Sequence, residues 1–345
     1  MAMKIGIVTV YESLNCGAYL QAWALKEFLQ NEGFEISFLK HNARNKLRIF
    51  LRTIIQLTLR EKRDLRFFMK CFLNFSTQHK QFPLCYNADQ MNAFILGSDE
   101  IWNVSKPDMR KFPLFWGIGL PDKIIISYAP SANNATREAI EAYPFSKEAL
   151  DNMNAISVRD THTKEIIENI ANKPVSLVCD PTMLLNQDDY SNHIKPILED
   201  NYILIYDCYK RFTDKEIAIC QKFAREKEKI LISFGANLTW CERSIPANPM
   251  LFLSYFKNAD FIFTGTFHGV VYAMIFNKQF ISASTSEKKV VRTLEFYGLE
   301  SRMLKEENIF TILNTEIDYG EINKKIDGIR HTSKKFLRDA LGIQA

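Results

Sequence analysis

Short apolar, β-branched runs alternate with segments of helical periodicity along nearly the whole chain. The runs Ile5–Val10, Ile36–Leu39, Ala93–Leu96, Ile124–Tyr128, Ala155–Val158 and Val175–Val178 read as buried strands. Leu20, Trp23, Ala24, Leu25 and Phe28 fall on one helical face, which predicts a helix over Ala18–Gln30, stopped by "NEG" at 31–33. The second half repeats the alternation. Strands are expected at Tyr202–Tyr206, Lys229–Ser233, Phe261–Thr264 and Gln279–Ala283. Helices are expected at Lys215–Glu226, Pro249–Lys257, Gly269–Phe276 and Glu287–Tyr297. In "TDKE", Thr213 takes the N-cap position and Glu216 the reciprocal place of a capping box.

This alternation predicts an α/β protein with mostly parallel sheets. At 345 residues the chain fits two domains, each able to bury its own core. The stretch 181–200 lacks clear periodicity and reads as the connection between two Rossmann-like domains, 1–185 and 186–345. A final helix, roughly Ile317–Leu341, is expected to pack back across both. Residues 40–70 mix Lys and Arg with Leu, Ile and Phe. They predict a basic helical insertion near 40–80, either an ordinary solvated crossover or an amphipathic surface for an anionic membrane.

Composition narrows the function classes. A hydrophobic fraction of 47% is that of a globular protein. No apolar run approaches the roughly 20 residues of a membrane span, and the apolar residues 3–10 are too short for a signal peptide. The seven cysteines are scattered without a C-x-x-C pair, so free thiols and a cytoplasmic location are expected, with no structural metal. A net charge of +4 is too mild to imply nucleic acid. With neither G-x-G-x-x-G nor a Walker A motif, nicotinamide and ordinary ATP enzymes have no support, and no cofactor is expected.

The candidate chemistry sits where strands end. In "FTGTFHGVVYAMIF" a buried strand gives way to His268 and then at once to an apolar helix. A histidine there either caps the helix or serves as a general acid beside an anionic ligand. Asn15, Cys16, Gly17 and Ala18 follow the first strand. Gly17 allows a tight turn, and the helix start offers N–H groups to an anion, or the loop simply turns the chain. After another strand, "GSDEIWN" supplies Asp99, Trp102 and Asn103: a carboxylate for sugar hydroxyls and an indole for an apolar sugar face, or a capped helix with a packed Trp. In "ISVRDTHT", Arg159 either holds a carboxylate or phosphate through its planar fork or pairs with a structural Asp. Asp180 in "VCDPTMLL" reads as structural. Lys288, Lys289 and Arg292 cluster at a helix start, where cations oppose the macrodipole, so an anion site competes with a solvated face.

Taken in order, these segments resemble the polysaccharide pyruvyl transferase family. "NCGAYLQAWAL", "GSDEIWN", "SYAPSAN", "ISVRD", "VCDPTMLL" and "FTGTFHGVVYAMIFNKQFI" match family segments in register from about residue 4 to residue 302. The resemblance implies a GT-B-like arrangement with the active site in the interdomain cleft. It also implies transfer of an enolpyruvyl-derived group from phosphoenolpyruvate to two sugar hydroxyls, giving a pyruvate ketal and phosphate during synthesis of a bacterial exopolysaccharide or capsule. By matching positions, Arg159 and His268 correspond to the family's donor-site arginine and histidine, and Gly17, Ala18 and Thr266 join them there.

The chain departs from the family pattern at Asn15-Cys16 and Gly265-Thr266. Thr266 stands where better-studied branches carry an arginine, so Lys288, Lys289 or Arg292 is expected to grip the donor. Asn15, Asp99, Trp102 and Asn103 are expected on the acceptor side. The expected acceptor is a sugar on either a lipid or a nucleotide carrier; a polyprenyl-linked one would be reached at the inner face of the membrane through the basic segment. The competing readings are a GT-B glycosyltransferase with a nucleotide-sugar donor and a non-catalytic sugar-binding relative.

Overall fold

The computed structural model describes residues 2–40, 65–285, 287–304, 312 and 314–343. Two all-parallel sheets form, each fed by β-α alternation. The first has seven strands: β1 (Lys4–Val8), β2 (Glu35–Leu39), β3 (Leu84–Cys85), β4 (Ala93–Asp99), β5 (Ile124–Pro130), β6 (Ala155–Val158) and β7 (Val175–Leu177), in the order β3-β2-β1-β4-β5-β6-β7. The second has five: β8 (Tyr202–Tyr206), β9 (Ile230–Phe234), β10 (Arg243–Ile245), β11 (Phe261–Thr264) and β12 (Phe280–Ser282), in the order β10-β9-β8-β11-β12. Strands buried on both faces read as continuous apolar runs rather than alternating ones. "YILIY" of β8 is buried at every position.

Each sheet reverses its winding once, between β1 and β4 in the first and between β8 and β11 in the second. At such a switch point the connections leave in opposite directions and open a crevice beyond the strand carboxyl ends. The fold thus makes two crevices, and the loops from both line one cleft.

Most sequence-predicted elements appear within a residue or two. The first helix runs Cys16–Asn31, starting earlier than its apolar face because Asn15 caps it. Thr213 and Glu216 form the expected capping box ahead of helix Asp214–Glu226. Helix Phe267–Ile275 begins two residues before the expected start, with Thr266 as its N-cap. The aperiodic stretch 181–200 contains a short helix, Gln187–Ser191, closed by a capping box between Asn186 and Asp189. Edge strands β3 and β10 have two and three residues, too few to show a period.

The C-terminal helix Tyr319–Ala340 touches both halves. Cys179 N donates to Ser333 Oγ (2.8 Å), and Arg330 Nε donates to the Met183 carbonyl (2.7 Å). Arg338 forms a two-point pair with Glu32 at the end of the first helix, while Tyr319 Oη hydrogen-bonds the Lys278 carbonyl. Of the basic segment 40–70, residues 41–64 lie outside the described residues. Residues 65–70 begin helix Leu65–Gln78, whose Asn74 donates to the Ala247 carbonyl (3.1 Å). Among the described residues no helix is long and apolar enough to cross a membrane, and no cluster of three metal-ligating side chains forms.

Candidate active site

A cleft of about 850 Å³ lies where the two crevices meet. From the first sheet come Ser13 and Asn15, after β1, with Asp99 at the end of β4 and Glu100 just past it. From the second come Tyr209, Arg211, Thr266 and His268, after β8 and β11, with Glu287 and Lys289 at the start of helix Lys288–Tyr297.

His268 is brought to the floor of the cleft by the turn from β11 into helix Phe267–Ile275. Thr266 Oγ1 accepts from Gly269 N (3.1 Å) and fixes that turn. The helix behind it, from Val270 to Ile275, is buried throughout, which anchors the imidazole. The ring lies against Gly17: a β-carbon there would stand 2.0 Å from His268 Nδ1. His268 Nε2 is buried without a hydrogen-bond partner, 4.0 Å from Asp180 Oδ2. Burial depresses the imidazole to about 4; Asp180 opposes that shift and Arg159 reinforces it. In the free protein the histidine is therefore neutral at physiological pH, as its place at a helix start, where the macrodipole disfavours a cation, also implies.

Asp180 is the buried anion of the site. Burial alone would raise its carboxyl, but His268, Arg159 and the Thr182 donors hold it below the ordinary range. Its Oδ1 accepts from Thr182 N and Oγ1, and its Oδ2 from Arg159 (2.8 Å). The sequence reads Asp180 as structural; it lies beyond the end of β7, where it caps the turn Pro181–Met183, and it also faces the histidine. Arg159 is 4% exposed and sits between Asp180 and Asp99 (3.7 Å), with its guanidinium 4.8 Å from the centroid of Phe267. Its fork is engaged with the protein's own carboxylates. It faces a second, largely apolar pocket behind Phe267, where Arg292 also lies. Asp99 adopts a left-handed backbone (φ 69°) at the end of β4, a conformation that costs most residues about 1–3 kcal/mol and that Asp tolerates better.

Other expectations need correction. The Gly17 and Ala18 N–H groups are not open to an anion, because Asn15 Oδ1 accepts from both (2.8 and 3.2 Å). Gly17 is helical and needed for close approach, not for a turn. Trp102 is fully buried, stacked on Trp116 at 4.9 Å between centroids, and donates to the Phe115 carbonyl. Asn103 is also buried and bonds Glu100. Neither lines the cleft, because both are buried against their own loop partners. Lys288 points outward, and Arg292 lies beyond Phe267.

Lys289 does reach the cleft, held by Glu100 (2.7 Å) and Glu287 (2.9 Å). Burial alone would lower its ammonium, but those two carboxylates outweigh it and keep the group charged. Glu100 in turn is held well below the usual carboxylate range by Lys289 and Lys106, against the upward push of burial.

Arg211 is the cation that sequence reasoning missed. It donates to the Gly265 carbonyl (2.7 Å) and pairs with Glu287. Gly265 has no side chain because Arg211 passes there: a β-carbon would meet Arg211 Cβ at 2.9 Å. The unusual Gly265-Thr266 pair thus coincides with an arginine delivered from another loop. The signal was present in "DCYKRF", a polar stretch at the carboxyl end of a buried strand beside a switch point.

The fold is α/β of GT-B type, two parallel sheets that meet at a polar crevice. UDP-GlcNAc 2-epimerase from Methanocaldococcus jannaschii superposes with a TM-score of 0.56 at 12% identity, over 96% of this chain and 99% of that one. A second UDP-N-acetylglucosamine 2-epimerase gives 0.55 at 9% (99% and 95%). An alpha-glucosyltransferase in complex with UDP gives 0.51 at 10% (98% and 96%). At these identities the likeness is one of fold. No curated protein matches in sequence. The family model for polysaccharide pyruvyl transferase matches residues 15–287, and the chain belongs to that family.

Proposed function

We propose that the protein transfers a pyruvyl group from phosphoenolpyruvate onto two hydroxyls of a sugar in a surface-polysaccharide precursor, in the cleft between domains 1–185 and 186–345. The observation that carries this reading is the meeting of His268 with a cluster of cations, Arg211, Lys289 and Lys106, at one cleft. A compact polyanion needs such cations, and its chemistry needs a proton donor.

The reaction balances as follows. A proton adds to the vinyl methylene, which becomes the ketal methyl and leaves an oxocarbenium-like carbon. A first sugar hydroxyl attacks that carbon and gives up its proton. The carbon–oxygen bond to phosphate then breaks, and phosphate leaves. The second hydroxyl closes the ketal and gives up its own proton. One proton is thus taken up at carbon, and two are released from oxygen, one of them matched by the departing phosphate.

His268 is suited to the first step once the donor is present. Three negative charges beside a neutral, buried imidazole raise its pKa, so the acid forms where and when the anion binds. Arg211 and Lys289 take the donor's anionic groups in place of the absent arginine at position 266. Arg159 acts one step back as a positioning residue: it holds Asp180, and Asp180 faces the imidazolium.

The test is a donor comparison with the intact protein. Phosphoenolpyruvate with galactose- and mannose-type acceptors, on lipid or nucleotide carriers, should release phosphate. Release of a nucleoside diphosphate from nucleotide sugars, with phosphoenolpyruvate untouched, would replace this reading with the glycosyltransferase one. The basic segment 40–70 fits a polyprenyl-linked acceptor at an anionic membrane face. Cosedimentation with anionic vesicles that weakens as salt rises checks it, and absence of binding at low salt removes it.

A further inference from the structure

The cleft does not end at the cations. Past Tyr209 it opens into a second lobe of about 960 Å³, and the two lobes share Ser13, Asn15, Tyr206 and Tyr209. The lobes differ in charge. His268, Lys106, Lys289 and Arg211 line the first, together with Asp99, Glu100 and Glu287. Among the described residues no Lys, Arg or His lines the second, and its one acidic side chain is Glu12.

Tyr209 is the party wall. It is 58% exposed, unusual for a large ring in a cleft. Its hydroxyl accepts from Asn15 Nδ2 (3.2 Å), a bond from the second half of the chain to the first. The Arg211 guanidinium lies 4.7 Å from its ring centroid, which assigns that side of the ring to the charged lobe. The neighbouring Lys210 turns the chain through a left-handed backbone (φ 52°), which places Tyr209 and Arg211 together at the boundary. Phe68 and Gly235 also line the second lobe, and Gly235 (φ 80°) requires its backbone freedom.

We infer that this second lobe is a carbohydrate subsite in which a pyranose ring packs on Tyr209, with Phe68 lining the same lobe. Among the described residues the lobe offers no cation to a phosphate or carboxylate. An exposed phenol ring suits the apolar face of a sugar, and a carboxylate with a serine and an asparagine suits its hydroxyls. The shared wall sets the sugar hydroxyls within reach of the charged lobe, so the two lobes hold two reactants of opposite character. This inference rests on the reading of the cleft as a sugar-modifying site. It adds Tyr209 and Glu12, which the sequence did not single out, and Phe68, which the sequence placed in the basic segment 40–70.

Saturation-transfer NMR on the whole protein tests it, with methyl galactopyranoside and methyl mannopyranoside as probes and uridine as control. The wild type should transfer saturation to at least one pyranoside, and Tyr209→Phe, which keeps the ring, should do likewise. Tyr209→Ala and Phe68→Ala should each weaken that binding about fivefold, the scale of a lost aromatic contact. Phe68→Ala should keep its affinity for inorganic phosphate, and it decides the matter if Tyr209→Ala does not fold. No pyranoside signal in the wild type, unchanged binding in the folded alanine variants, or uridine displacing the pyranoside would each overturn the inference. Phosphoenolpyruvate failing as donor while Tyr209-dependent pyranoside binding persists would remove the proposed reaction and leave the subsite standing. Turnover without any contribution from Tyr209 and Phe68 would do the reverse.

Discussion

A methyl group on Gly17 would stand 2.0 Å from Nδ1 of His268. The first helix of one half and the histidine of the other therefore touch through bare backbone. Gly17 lies in a regular helical turn, where glycine is intrinsically unfavourable by about 0.5–1 kcal/mol relative to alanine. The approach of the imidazole accounts for its presence.

Gly17→Ala separates these two demands. Helix propensity alone would make the variant more stable. The steric account predicts instead that the imidazole is pushed off its place and turnover falls by about 10²-fold, the scale of a misplaced catalytic group. Steady-state rates with circular dichroism check it, and unchanged turnover in a folded variant contradicts it.

The depressed His268 pKa makes a stability prediction with a definite sign. In the unfolded chain the imidazole titrates near 6.5, and in the folded protein near 4. Between those values the unfolded state binds more protons, so stability falls as pH drops through that window. The full shift corresponds to roughly 3 kcal/mol. Urea unfolding from pH 7 to pH 4 should show the loss, and His268→Asn should flatten it. An identical slope in the variant would place the acid sensitivity elsewhere.

Much of this site was legible before the fold was known, and the misses share a cause. His268 was visible because β-branched residues before it and an apolar helix after it fix a strand-to-helix turn. Asn15 and Lys289 were visible for similar reasons, as loop or helix-start residues beside regular elements. Trp102 and Asn103 were misplaced because a strand end tells where a loop begins, not which way its side chains turn. Here a stack on Trp116, 14 residues later, holds the indole in the buried core. Arg211, Tyr209 and Glu287 were missed because their meeting depends on which strands are neighbours. Only the order β10-β9-β8-β11-β12 sets the loop after β8 beside the one after β11. The family resemblance pointed to the cleft; the topology filled it.

Arg159 is expected to act through Asp180. Arg159→Gln leaves that buried carboxylate facing His268 without its cation, a change that costs about 3–5 kcal/mol in comparable pairs. It also removes a positive charge near the imidazole, so the His268 pKa should rise. A lower urea midpoint together with an upward-shifted His268 NMR titration supports the positioning role. Wild-type stability with an altered donor KM alone would mean that Arg159 binds the donor directly.

Glu287 holds Arg211 and Lys289, the two groups proposed to take the donor. An internal carboxylate on two cations competes with an incoming anion. Glu287→Gln should therefore tighten inorganic phosphate binding by about tenfold, the range of one charge-assisted contact. Calorimetric titration with phosphate measures this. Weaker binding in the variant would show that Glu287 positions the cations more than it competes for them.

The central claim is that phosphoenolpyruvate is protonated at its methylene carbon in this cleft and ends as a ketal on the acceptor. The reaction run in deuterium oxide, with an acceptor that releases phosphate, reads that event directly. The ketal methyl should carry one solvent deuterium for each phosphate released, and His268→Asn should lower both by about 10²–10⁴-fold. A ketal methyl without solvent deuterium, or undiminished formation in the variant, would contradict the account.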